Sequence, residues 1–299
     1  MFKVDRKEIN GISFFTVTSG DIYATISSLG GQLLGFGLHG QADCIWNNPD
    51  STSYIGTAVR GGIPICFPWF GEAKLAPESV KSLINNHEQA PFHGLLRERI
   101  WHLTDMYQDE KQVMLNFTCE INPEDNSYWK HRCKVDIEYL IKDTLSVTMK
   151  ISNLENEWIP VTLALHTYFH VNDINTIKLS GFAGCDYYDA LNNWDFKHQT
   201  DEPDVAHSRG TARTYLKPQE HITFDDPGFS RKISLYTSNS HSSVIWNPGS
   251  ERAKKLDQFS DESWKKMLCI ETARVREDIL SIAPYGIETI GLKVKITPL

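Results

Sequence analysis

The stretch LALHTYFHV, residues 163–171, sets two histidines four residues apart inside an apolar run. On a helix, His166 and His170 would be neighbours on one face and able to share a metal ion. Pro160 just ahead of the run, and Val161, Thr162 and Thr167 around it, favour an extended chain instead. In a strand the side chains alternate. Leu163, Leu165, Thr167 and Phe169 then take one face; Ala164, His166, Tyr168 and His170 take the other. The first face reads as core, the second as a row of rings able to hydrogen-bond. Four residues at about 3.3 Å each span roughly 13 Å, which metal–nitrogen bonds of ~2 Å cannot close. What remains is two structural rings, or one catalyst with a bystander, and spacing does not rank them.

The rest of the chain repeats the β pattern. Residues 14–18, 22–27, 113–117, 135–140, 145–151, 161–169, 233–237 and 292–296 are short, β-branched or aromatic runs. Turn formers punctuate the gaps, as in Gly30-Gly31, Asp125-Asn126 and Asp226-Pro227-Gly228. Helical periodicity is confined to 250–267, where Ala253, Leu256, Phe259, Trp264 and Met267 predict one or two short helices. Many strands with few helices predict an all-β fold, a large antiparallel β-sandwich, as one domain over residues 1–299. Two polar stretches, 72–91 and 187–213, read as long surface loops.

A formal net charge of −8, with no Lys/Arg block, argues against a nucleic-acid partner. No run approaches the ~20 apolar residues of a membrane span, and the start MFKVDRKEING lacks the apolar core of a signal peptide. Cys44, Cys66, Cys119, Cys133, Cys185 and Cys269 are scattered with no Cys-x-x-Cys pair, so free thiols in a reducing, cytoplasmic setting are expected.

Several other segments hold chemistry-bearing residues. Arg60-Gly61-Gly62-Ile63-Pro64 sets an arginine fork beside two glycines that permit close backbone approach to a ligand. The alternative is a tight turn with a surface arginine. Phe92-His93-Gly94-Leu95-Leu96-Arg97, with Trp101 following, mixes His, Arg and aromatics in the way a sugar or sugar-phosphate site does, or forms an ordinary turn. In Cys269-Ile270-Glu271-Thr272-Ala273, Glu271 has apolar or small neighbours. Partial desolvation would raise its pKa and suit it to general-base work; a structural ion pair is the competing reading.

Taken together, RGGIPICFPWFG at 60–71, HGLLRERIW at 93–101, LALHTYFHV at 163–171, TARTYLKPQE at 211–220, VIWNPG at 244–249 and CIETA at 269–273 resemble the hexose-6-phosphate mutarotases of the aldose 1-epimerase superfamily. The resemblance implies a galactose mutarotase-like β-sandwich. It implies exchange of the α and β anomers of a hexose 6-phosphate, with His166 as general acid and Glu271 as general base. It further implies substrate and phosphate binding by Arg60 and Arg97 and substrate binding by His93 and Trp246, with Phe70, Asp189 and Tyr168 as further candidate contacts. The chemistry calls for no cofactor and no metal, and a monomer is expected. His170 stands where some relatives carry Asn, so no catalytic role is carried over to it.

One departure concerns recognition. Relatives have Asp in a T-D-R-x-Y segment, where this chain has Ala212. An alanine accepts no hydrogen bond, and losing one such contact costs on the order of 1–3 kcal/mol. Either another loop residue, such as Asp189, Asp201 or Asp204, takes its place, or sugar recognition is altered. The alternatives to a phosphosugar enzyme are a mutarotase for neutral aldoses and a carbohydrate-binding protein without turnover. Retention of both His166 and Glu271 opposes the latter.

Overall fold

Strict alternation decides the largest sheet. In Cys133–Ile141, residues 133, 135, 137, 139 and 141 are buried while those between are half-buried. Val113–Ile121 and Leu145–Asn153 follow the same rule. Paired antiparallel, Phe117 faces Ile137 and Ile137 faces Met149, so the apolar sets fall on one side of the sheet. A computed structural model describes residues 1–48, 59–206, 208–257 and 259–299.

Two eight-stranded sheets dominate. One runs Lys178–Ser180, His221–Asp226, Arg231–Ser238, Ile287–Pro298, Leu145–Asn153, Cys133–Ile141, Val113–Ile121, His102–Gln108. The other runs Asp195–His198, Asp186–Asp189, Thr211–Leu216, Ser242–Asn247, Met267–Arg274, Leu163–Leu165, Ile65–Cys66, with Tyr168–His170 also paired to Met267–Arg274. Phe169 of the second sheet meets Phe224 of the first edge-on, with ring centroids 5.4 Å apart. A four-stranded meander spans Lys3–Ile9, Ile12–Ser19, Ile22–Ser27 and Leu33–Leu38. The hydroxyl of buried Tyr139 ties it down, donating to Gly31 O at 2.6 Å and accepting from Leu33 N at 3.2 Å. One continuous apolar core joins residues from Phe2 to Val294. All six cysteines are buried and unpaired. Among the described residues, no helix is long and apolar enough to cross a membrane.

The secondary structure departs from the sequence expectations over 72–91, 161–169 and 187–213; the first holds a 3-10 turn, Ala73–Leu75, and a short helix, Glu78–Lys81. Residues 161–169 are not one strand: Ile159–Val161, Leu163–Leu165 and Tyr168–His170 are separate pieces. The break falls at His166-Thr167, where the Thr167 amide turns back to Leu165 O at 2.9 Å. Residues 187–213 are not simply a loop, because Asp186–Asp189 and Asp195–His198 form a hairpin that widens the second sheet. The 250–267 pattern does yield the expected short helices, one α, Gly249–Ala253, and one 3-10, Ser263–Lys266.

Gly94 shows why the HGLLR segment turns where it does. Its φ is +82°, and a Cβ there would lie 2.1 Å from Phe67 O. That oxygen already accepts the Leu95 amide at 2.8 Å. Gly94→Ala should therefore lower stability by about 2 kcal/mol or more. A urea denaturation midpoint equal to that of the unaltered chain would refute this account of the turn.

Candidate active site

Register places the site on one face of the second sheet. Thr214, Val244 and Glu271 are cross-strand partners in one row; Ala212, Trp246, Cys269 and Tyr168 form the next. Because strand side chains alternate, these two rows share a face. That face floors a cleft of about 830 Å³. The wall opposite comes from Phe70, Gly71 and the 93–97 segment, and the rim includes Glu72, Leu75 and Phe92.

His166 leaves the ladder to enter the cleft. Its amide donates to Pro64 O at 2.9 Å, while Leu165 and Tyr168 on either side pair with the Glu271 strand. Its ring lies parallel to that of Tyr168, with centroids 4.8 Å apart and planes 9° from parallel. Its Nε2 is 3.4 Å from Oε1 of Glu271. Glu271 is 1% exposed and His166 7%. Nδ1 of His166 and Oε2 of Glu271 are buried without a hydrogen-bond partner.

Burial sets the electrostatics of the pair. It pushes His166 down to about 3, with the positive charge of Arg97 and, less strongly, Arg60 adding to the shift. It pushes Glu271 well above the usual carboxylate range, and Arg97 opposes that shift. The Nε of Arg97 is itself buried without a partner. Burial thus disfavours charge on either group, and Arg97 disfavours it further on His166 alone.

His93 stands edge-on to His166, with ring centroids 5.1 Å apart and planes at 86°. Its Nδ1 accepts the Gly71 amide at 3.1 Å, while its own amide donates to Gly71 O at 2.9 Å. An Nδ1 that accepts belongs to a neutral ring with its proton on Nε2. Burial, then the charges of His166, Arg97 and Arg60, keep this ring from protonating. Phe70 packs 4.7 Å from the His93 ring. The His93, Tyr168 and Trp246 rings thus gather around the His166 ring, which faces the Glu271 carboxylate.

Of the expected site residues, Arg60, Phe70, His93, Arg97, His166, Tyr168, Trp246 and Glu271 all line this cleft. Asp189 does not. It is buried in the row facing away from the cleft, paired with Arg213. Its carboxylate is used locally, accepting from Leu191 N at 3.1 Å, Asn192 Nδ2 at 2.6 Å and Lys197 Nζ at 3.1 Å. Asp201 is exposed, and Asp204 accepts the Ala206 amide at 2.8 Å; neither lines the cleft. None of the three replaces the acceptor missing at Ala212, which does line it. The Gly61-Gly62 pair serves chain packing: a Cβ on Gly62 would sit 2.3 Å from Leu33 O, and one on Gly61 2.7 Å from the Asn47 backbone. His170 lies outside the cleft lining, edge-on to Phe229 at 5.1 Å. Sequence reasoning missed Trp194, Thr214, Val244 and Arg276, which also line the cleft. Only the strand register gives Thr214 and Val244 away.

The pH dependence of stability follows from the sign of the His166 shift. The native fold resists protonating this ring. Its contribution is complete above 6.5, the ordinary histidine value, and is lost as pH falls from there toward about 3. His166→Asn should flatten the decline in stability between those limits by up to about 1.4 kcal/mol per pH unit. Denaturation midpoints of the two proteins measured across that range check it; parallel curves would contradict it.

Comparison with known proteins agrees in extent and shape. The family described as aldose 1-epimerase matches residues 13–284. An Escherichia coli protein provisionally named glucose-6-phosphate 1-epimerase is 28% identical over 274 residues, 92% of this chain and 87% of its own. A Haemophilus influenzae protein of the same provisional name is 30% identical over 234 residues, 78% of this chain and 74% of its own. A crystal structure from Salmonella typhimurium, provisionally described as a mutarotase, superposes with a TM-score of 0.87 at 23% identity, covering 99% of this chain and 94% of its own. A galactose mutarotase-like protein from Clostridium acetobutylicum gives 0.79 at 15% identity, covering 100% and 99%.

Proposed function

The chain belongs to the aldose 1-epimerase family and is an isomerase of that type, and we propose that it interconverts the α and β anomers of a hexose 6-phosphate, with glucose 6-phosphate as the first candidate. The observation that carries this is the buried His166–Glu271 contact at 3.4 Å. Anomer exchange moves protons at two oxygens bonded to the same carbon, the C1 hydroxyl and the ring oxygen. Its acid and base must therefore stand side by side. Glu271 takes the hydroxyl proton, the bond from C1 to the ring oxygen breaks as C1 becomes an aldehyde, and His166 protonates the released oxygen. Rotation about the C1–C2 bond presents the other carbonyl face, and each proton returns on closure.

Charge balance supports the same assignment. Opening starts from Glu271 ionised and His166 protonated, and ends with both neutral. The neutral form is the one that burial favours. A proton passing between the two groups reaches the starting form without changing the net charge, and Arg97 stabilises the carboxylate when it forms. His93, with Nε2–H facing the cleft, supplies a fixed donor to a sugar oxygen. Tyr168 and Trp246 give ring surface for the sugar. Arg60 and Arg97 supply positive charge suited to an anionic sugar, which favours hexose phosphates over neutral aldoses. The continuous core supports one mutarotase-like domain over residues 1–299, and six unpaired thiols support a reducing cytoplasmic setting.

Magnetisation-exchange NMR on glucose 6-phosphate should show catalysed exchange, faster than with glucose. Glu271→Gln should slow it by about 10²- to 10⁴-fold, with the fold intact by circular dichroism. Exchange no faster than in buffer for any hexose phosphate would overturn the assignment. Undiminished exchange in the Gln variant would remove Glu271 from the base position.

A further inference from the structure

Arg276 lies in the same cleft and has no place in the acid–base chemistry. It follows the strand Met267–Arg274 and so stands five residues beyond Glu271, with a left-handed φ of 60°. Its guanidinium carbon sits 3.8 Å from the centre of the Trp194 ring and 5.0 Å from that of Tyr188. The Tyr188 hydroxyl donates to Glu277 Oε1 at 2.7 Å. That bond steadies the ring and engages the nearest carboxylate. Nη2 of Arg276 is left buried without a partner.

This clamp is built, not incidental. Trp194 has a φ of 61°, an uncommon backbone for a tryptophan. Its amide donates to Asp189 O at 2.9 Å. The Asp189 carboxylate caps the intervening turn and holds Lys197. Three elements thus converge to fix one guanidinium whose free edge meets no protein acceptor. An arginine stacked on aromatic faces keeps its planar fork for ligand oxygens. A half-buried cation with a buried, unpartnered Nη2 suits an anion better than a hydroxyl. Arg60 and Arg97 are the cations whose fields reach His166, at the reacting end. In a hexose 6-phosphate, the phosphoryl group hangs from the carbon at the opposite end of the chain from C1.

We infer that Arg276, clamped between Trp194 and Tyr188, binds the phosphoryl oxygens of the substrate and is a specificity-determining residue of this enzyme. This rests on the hexose-phosphate reading of the cleft. Arg276→Gln should raise the KM for glucose 6-phosphate by about 10- to 100-fold, acting chiefly on KM, not kcat. It should weaken competitive inhibition by inorganic phosphate in parallel, while the KM for glucose moves by no more than about threefold. Arg276→Lys, which keeps charge without the fork, should fall between. Trp194→Leu should reproduce part of the loss by loosening the clamp. A KM for glucose 6-phosphate within about twofold of the unaltered enzyme would overturn the inference, as would an equal rise for both sugars. Should the unaltered protein fail to speed exchange at all, the proposed reaction falls. Thermal stabilisation by inorganic phosphate then decides Arg276 alone: loss of stabilisation in the Gln variant sustains the anion site, and unchanged stabilisation removes it.

Discussion

The register of the strand Met267–Arg274 is the constraint on which the site depends. All eight of its residues are buried, and it is paired on both flanks. Alternation leaves Cys269, Glu271 and Ala273 on the cleft face. A slip of one residue would exchange Glu271 for Ile270 or Thr272 and bury the carboxylate on the wrong side. Cross-strand pairing to Val244 on one flank, with Leu163–Leu165 and Tyr168–His170 on the other, holds that register from three separate segments. The acid–base pair is thus a product of strand pairing before it is a product of side-chain contact.

Burial and positive charge act on this pair in different directions. Burial drives both groups toward neutrality. Arg97 deepens the effect on His166 and relieves it on Glu271. Arg97 therefore favours a carboxylate over an imidazolium, and a bound dianionic phosphate would shift that balance toward protonated His166. In the proposed reaction, the charge of the sugar phosphate and the readiness of the pair are coupled through the same low-dielectric cleft.

Period-2 patterning made the β architecture legible, because strands such as Cys133–Ile141 bury every second residue. The same rule put His166 and Tyr168 on one face, and their rings do stack, although the strand is interrupted between them. The landmark motifs located Arg60, His93, Arg97, His166, Trp246 and Glu271, and these share the cleft. What stayed illegible depends on long-range assembly. Asp189 looked like a loop carboxylate free to meet a sugar; it caps a turn whose hydrogen bonds are all local. Gly61 and Gly62 fitted either a ligand-facing turn or an ordinary tight one, and the backbones they admit come from Asn47 and Leu33. Arg276 sits in a charged run, and nothing local tells that Trp194, more than eighty positions earlier, comes to lie across its face.

The interruption at His166-Thr167 has a consequence for how such an enzyme can change. The amide of His166 is held by Pro64, whereas Glu271 is held by its own strand and that strand's partners. The proposed acid thus has one backbone support that Glu271 does not share, although Leu165 and Tyr168 on either side of it pair with the Glu271 strand. A substitution that shifts one support moves one proton donor relative to a fixed acceptor, without unzipping the sheet. Such a site can drift in acid–base geometry, and with it in the sugars it turns over, while its scaffold stays the same.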